Sequence, residues 1–110
     1  MIATALAVLT LAAPAPARVQ IGADEFGYAL SRQSIPAGPA IVQLANFGED
    51  EHDLRLQRIG GPRIYRVGTV RPGKVGELEA RFLPGRFRLW CSLADHRARG
   101  MRATLLVRKA

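Results

Sequence analysis

Four side chains of this sequence can donate to a soft metal ion, and three of them share one short stretch. Cys91, His96 and Met101 stand in Cys-Ser-Leu-Ala-Asp-His-Arg-Ala-Arg-Gly-Met, a C-x4-H-x4-M spacing. The fourth, His52, stands in Asn-Phe-Gly-Glu-Asp-Glu-His-Asp-Leu. A thiolate, two imidazoles and a thioether are a donor set that suits one copper ion, with two nitrogens and a sulfur arranged trigonally and a long, weak bond to Met. The thiolate is soft and covalent toward copper, and it supplies an electronic route to the metal. Imidazoles suit both Cu(I) and Cu(II), so little has to move when an electron is exchanged. The neutral thioether is only a weak donor to Cu(II), so it leaves Cu(I) better favoured than a charged or stronger ligand in its place would. Zinc fits less well, because structural zinc sites seldom use Met.

Each of these residues alone has a plainer explanation. A lone Cys is usually a small buried hydrophobe, a lone His a surface or hydrogen-bonded core residue, and a lone Met a gap filler. Together the plain explanation weakens. The chain has one Cys and two His, and Met101 is its only Met besides Met1, so every soft donor beyond the first residue belongs to the same constellation. With one Cys no intrachain disulfide forms. A free thiol in an exported protein invites oxidation and cross-linking, and ligation to a metal gives it a reason to be there.

The elements that must position these donors read as short strands. Alternating or apolar runs bounded by turn residues occur at Val19–Ala23, Tyr28–Gln33, Ala40–Asn46, Leu54–Ile59, Val75–Phe82, Arg86–Cys91 and Arg102–Arg108. In the fifth, Leu78, Ala80 and Phe82 share one face and Glu77, Glu79 and Arg81 the other. Ile35-Pro-Ala-Gly-Pro39 reads as a turn, and Arg63–Val70 is open between a short helix and a loop. About seven short strands with punctuation between them predict an all-β sandwich or small barrel. His52 then follows the strand ending at Asn46, and the Cys91–Met101 stretch joins the last two strands. Two such connections can meet at one end of a sandwich.

The N-terminal Met1–Ala13 is an almost unbroken apolar run, followed by Pro14 and by Ala15-Pro16-Ala17, a small-x-small pattern. We read residues 1–17 as a signal peptide cut after Ala17, with a single domain over residues 18–110. No Lys or Arg precedes the run, so the usual basic start is missing. The alternatives are the tail of a longer membrane anchor or a buried first strand or helix. The run is too short to span a bilayer, which takes about 20 apolar residues. The expected location is therefore periplasmic or otherwise extracytoplasmic, with no stable membrane insertion after cleavage.

At 110 residues, 48% hydrophobic and 23% charged, the chain is an ordinary globular sequence rather than a disordered or collagen-like one. Its 16 basic residues against nine acids give a net charge of +7, which favours acidic partners without choosing among them. Nucleic acid is not expected, because the arginines are scattered and no recognition motif is present.

Two segments resemble the cupredoxin family, the blue (type 1) copper proteins that include plastocyanin, azurin and auracyanin. Asn46-Phe-Gly-x3-His52-Asp-Leu is similar to the family's Asn-x-Gly…His-Asn segment. Trp90-Cys91-x4-His96-x4-Met101-Arg-Ala-Thr-Leu is similar to its aromatic-Cys…His…Met ending. The resemblance covers roughly Val19–Val107. It implies a Greek-key β-sandwich with copper at one end, bound by His52, Cys91, His96 and Met101, and a one-electron shuttle rather than an enzyme. Two positions depart from the pattern. Asp53 replaces the Asn that ties the ligand loops together, although a carboxylate can accept from the Ser92 hydroxyl or a backbone N–H. Ala94-Asp95 replaces Pro-Gly, and Asp95 is a candidate acceptor behind the ligands.

The resemblance also implies an electron exit at the ring edge of His96. Arg97, Arg99 and Arg102 would give it a basic rim suited to an acidic redox partner, unless Glu49, Asp50, Glu51 and Asp53 pair with them. Strand alternation turns Trp90 away from the metal, beside Arg86 and Arg88, where it is either a second electron port or a packed side chain. The expected molecule is a monomeric, exported electron carrier. The alternatives are a copper-binding or delivery protein, and a metal-stabilised β-sandwich interaction module with no redox role.

Overall fold

A computed structural model describes residues 2–7 and 15–110. Most of the apolar run expected as an export signal lies outside the described residues. Nine strands follow in order: β1 (Ala17–Asp24), β2 (Gly27–Leu30), β3 (Ser34–Pro36), β4 (Gly38–Asn46), β5 (His52–Arg58), β6 (Ile64–Val70), β7 (Val75–Phe82), β8 (Gly85–Trp90) and β9 (Arg102–Arg108). They form a four-stranded sheet, β2-β1-β4-β7, and a five-stranded sheet, β3-β9-β8-β5-β6. Among the described residues there is no helix, and none long and apolar enough to cross a membrane.

The two sheets face each other across one core. Alternation points Val19, Ile21 and Ala23 of β1, Leu54 and Leu56 of β5, Phe87 and Leu89 of β8, and Leu105 and Val107 of β9 inward, and all are buried. At one end Phe82 stacks edge-on to Tyr65 at 4.9 Å and tilts against Phe87 at 5.0 Å. Burying each such aromatic contributes on the order of 2–3 kcal/mol of transfer free energy. Phe87 pairs with Arg58, the last residue of β5, so this aromatic plug lies at the end away from His52.

Two strands depart from the sequence reading. Ser34–Pro36 is a strand rather than a turn: Ile35 is fully buried and pairs in parallel with Val107. Proline is tolerated there because β3 is an edge strand, where a missing N–H costs no ladder bond. Arg63–Val70 is neither helix nor loop but contains the edge strand β6. His52 pairs with Val70 and Leu54 with Val67, so β6 carries one extra residue opposite β5. This bulge puts the buried Val67 and Val70 three positions apart, which hides the period of two.

Strand direction gathers four connections at one end. β1 runs parallel to β4, with Ala23 beside Asn46, and β4 runs antiparallel to β7, with Ala45 beside Val75. The β1–β2 turn, the β4–β5 loop, the β6–β7 turn and the β8–β9 loop therefore share the end opposite the aromatic plug.

Candidate metal centre

Asn46 shapes the loop that delivers His52. Its buried side-chain amide donates to the carbonyls of Asp50 at 2.8 Å and Val70 at 2.9 Å, and its Oδ1 accepts the Gly48 N–H at 2.8 Å. His52 then opens β5 beside the β6 bulge, fully buried. Bulges re-aim neighbouring side chains, and this one falls where the chain must turn an imidazole inward.

The β8–β9 loop delivers the other donors by coiling round His96. The His96 N–H bonds to the Leu93 carbonyl, and the His96 carbonyl accepts the N–H groups of both Arg99 and Met101, each at 3.1 Å. Gly100, at φ 114°, makes the reversal into β9, a backbone conformation that only glycine adopts readily. The Cys91 N–H bonds to the Met101 carbonyl at 3.2 Å, which closes the loop at its neck. Met101 is fully buried in the core and bonded through its backbone to both Cys91 and His96.

His52, Cys91 and His96 meet. One ligand atom from each lies within 4.8 Å of the other two, and all three residues are buried. Cys91 Sγ is 3.6 Å from His96 Nδ1, and the two imidazole centroids are 5.0 Å apart. Burial pushes the Cys91 thiol up from its ordinary pKa, while backbone N–H groups of Asp53 and Leu93 favour the thiolate.

The tie between the two ligand loops exists, and Asp53 makes it. Its buried carboxylate accepts the Ser92 N–H at 2.7 Å and the Ser92 hydroxyl, and it lies 3.5 Å from Arg55 Nη1. The Tyr28 hydroxyl donates to the Asp53 carbonyl, and burial raises the phenol far above its usual pKa, so it stays a donor. Asp95 does not back a ligand. Its carboxylate accepts from Arg99 Nε at 2.8 Å, four residues on, and both groups are more than half exposed. The Arg99 hydrogen bond is the first cause holding the Asp95 carboxyl below its usual range.

The sequence reading missed the β1–β2 turn. Phe26 lies 4.7 Å from His96 and 6.4 Å from His52 between ring centroids. Glu25 Oε1 lies 3.2 Å from His52 Nε2. The Asp50 N–H is the first cause lowering the Glu25 pKa. Neither residue carries a sequence signal, since nothing but the sheet pairing places this turn beside the ligands. The edge of His96 is also more covered than expected: the residue is 7% exposed, and its Nε2 lies 3.5 Å from Asp50 Oδ2.

No family model matches the sequence, and no curated protein matches it. Solved structures do match. Reduced auracyanin from the photosynthetic bacterium Roseiflexus castenholzii superposes with a TM-score of 0.68 at 16% identity, covering 86% of this chain and 98% of that one. Auracyanin A, described as a "blue" copper protein from the green thermophilic photosynthetic bacterium Chloroflexus aurantiacus, gives 0.67 at 15% identity over 84% of this chain and 99% of that one. An azurin from the obligate methylotroph Methylomonas sp. strain J gives 0.67 at 14% identity over 86% and 100%. The fold is cupredoxin-like. In this cupredoxin-like sandwich His52, Cys91 and His96 form a candidate copper site at one end.

The residues themselves fit a metal. His52 Nδ1 is a buried nitrogen with no hydrogen-bond partner among the described residues. A buried polar atom left unpaired costs about 1–3 kcal/mol. A metal ion among the three donors would satisfy it. Two imidazoles with one thiolate select copper over hard cations such as Mg or Ca, which prefer oxygen donors.

Proposed function

We propose that this chain is an exported electron carrier that binds one copper ion through His52, Cys91, His96 and Met101. The observation that carries the reading is the assembled cluster of His52, Cys91 and His96, buried at the end of the sandwich with one nitrogen unpartnered among the described residues. Bound copper supplies a one-electron Cu(II)/Cu(I) couple. The protein's part is to hold the donors still. Asn46 fixes the first loop, the Asp53–Ser92 bonds fix one loop to the other, and the His96 carbonyl fixes the turn that carries Met101. Held donors keep reorganisation small, and their burial keeps water away. That burial supports electron exchange rather than chemistry on a bound substrate.

Electrons have two candidate ways out. One is the His96 edge beneath Phe26 and Asp50. The other is Trp90, covalently next to Cys91 and half-buried on the outer face of the five-stranded sheet. Arg97 lies over its ring at 4.7 Å, and Arg55 and Arg102 are directly opposite on the neighbouring strands. The basic surroundings favour an acidic redox partner. We place the monomeric mature protein outside the cytoplasm, with residues 1–17 removed as a signal peptide. N-terminal sequencing of exported protein is expected to begin at Arg18, and retention of the apolar run would refute cleavage.

Voltammetry tests the function. The copper-loaded protein is expected to give a reversible one-electron wave. Met101→Leu is expected to raise the potential by the equivalent of about tenfold in the Cu(I):Cu(II) affinity ratio, or about 59 mV for one electron. Rapid loss of Cu(I) to a competing chelator, with no reversible wave, would instead support a delivery protein. Binding without any redox response would support a metal-stabilised interaction module.

A further inference from the structure

Glu25 and His52 are 27 positions apart in sequence, yet Glu25 Oε1 lies 3.2 Å from His52 Nε2. The imidazole is fully buried, and the carboxylate is only 27% exposed. The same carboxylate accepts the Glu49 N–H at 2.9 Å and the Asp50 N–H at 2.6 Å, so the loop that carries His52 grips it from two sides. Its seat depends on Gly48. A Cβ at that position would overlap both carboxylate oxygens, and Gly48 has no positive φ that would itself require glycine.

A neutral imidazole carries its hydrogen on one nitrogen and its lone pair on the other. An ionised carboxylate has no hydrogen to give, so Nε2 must be the donor and Nδ1 must hold the lone pair. Nδ1 is a buried atom that lacks a partner among the described residues, and His52 belongs to the cluster with Cys91 and His96. Partners of this kind fix ring orientation and raise ligand basicity.

We propose that Glu25 is the positioning residue of the His52 ligand. It locks the ring with Nδ1 toward the metal, and its negative charge favours Cu(II) over Cu(I), lowering the reduction potential. The charge effect rests on the copper reading above. The positioning effect does not, because it is a property of the metal-free protein.

Two measurements separate them. In ¹⁵N spectra of histidine-labelled, metal-free protein, His52 is expected as the Nε2–H tautomer. It should stay so in Glu25→Gln, which keeps an acceptor, and become mixed in Glu25→Ala. A Nδ1–H ring in the unmutated protein, or an unchanged ring in Glu25→Ala, overturns the positioning role. In the copper-loaded protein, Glu25→Gln is expected to shift the Cu(I):Cu(II) affinity ratio about tenfold toward Cu(I), which raises the potential by about 59 mV. Gly48→Ala, which displaces the carboxylate with Glu25 intact, should shift it in the same direction. An unchanged potential in Glu25→Gln overturns the charge effect while the copper reading stands. Absence of a thiolate-to-copper band in the unmutated protein overturns the copper reading and the charge effect together, and the ring spectrum still decides the positioning role.

Discussion

Asp53 shows how one side chain can join two loops that are far apart in sequence. It sits next to the candidate ligand His52, and its carboxylate receives both the N–H and the hydroxyl of Ser92, next to the candidate ligand Cys91. Removing it strands the buried Arg55 Nη1, which among the described residues has no hydrogen-bond partner and only this carboxylate within ion-pair distance. Asp53→Ala is therefore expected to cost about 3–5 kcal/mol, as for a broken buried pair. Asp53→Asn keeps an oxygen for the Ser92 N–H and should cost about 1–2 kcal/mol. Urea unfolding of the metal-free proteins measures both, and equal costs would show that the carboxylate's hydrogen bonds are not what holds the loops. The role of Asp53 was legible in the sequence, because any acceptor at that position can reach residue 92 once the two loops meet. The role of Glu25 was not. An acid in a turn looks like any solvated charge until the parallel pairing of Ala23 with Asn46 puts that turn beside the His52 loop.

The β8–β9 loop is the element on which the site depends most. It has no regular structure, and its path is set by the two N–H groups converging on the His96 carbonyl and by the left-handed Gly100. Gly100→Ala is expected to cost about 1–3 kcal/mol through backbone strain. Its urea midpoint should fall with no change in slope, and an unaltered midpoint would contradict the assigned turn. The loop was easy to find because soft donors are scarce in this sequence, whereas its route was not, since it lacks the Pro-Gly expected before His96. Among the strands, those with clean alternation, such as Val75–Phe82, lie where the sequence places them. β6 was illegible because its bulge breaks the period. β3 was illegible because Ile35-Pro-Ala-Gly-Pro39 is dominated by turn formers, although a three-residue edge strand needs only Ile35 to face the core.

At the scale of the whole molecule the net charge of +7 is unevenly spread. Arg66, Arg55, Trp90 and Arg102 form one row across four paired strands, and Arg88 and Arg86 follow along β8. Among the described residues none of Arg66, Arg86, Arg88, Arg97 and Arg102 has a carboxylate within ion-pair distance. Like charges opposed across strands are unfavourable, so this face is suited to meeting negative charge from outside. Electron exchange with an anionic reagent such as ferrocyanide is expected to slow roughly tenfold between about 0.01 M and 0.1 M salt, as the Debye length shrinks from about 30 to 10 Å. Insensitivity to salt would remove electrostatic steering from the account. The central claim, that these two loops bring a thiolate and two imidazoles onto one copper ion, is tested most directly by the visible spectrum on titrating Cu(II) into the purified protein. The account predicts an intense thiolate-to-copper band that saturates at one equivalent and is absent in Cys91→Ser. A protein that stays colourless, or a band that survives the loss of Cys91, would contradict it.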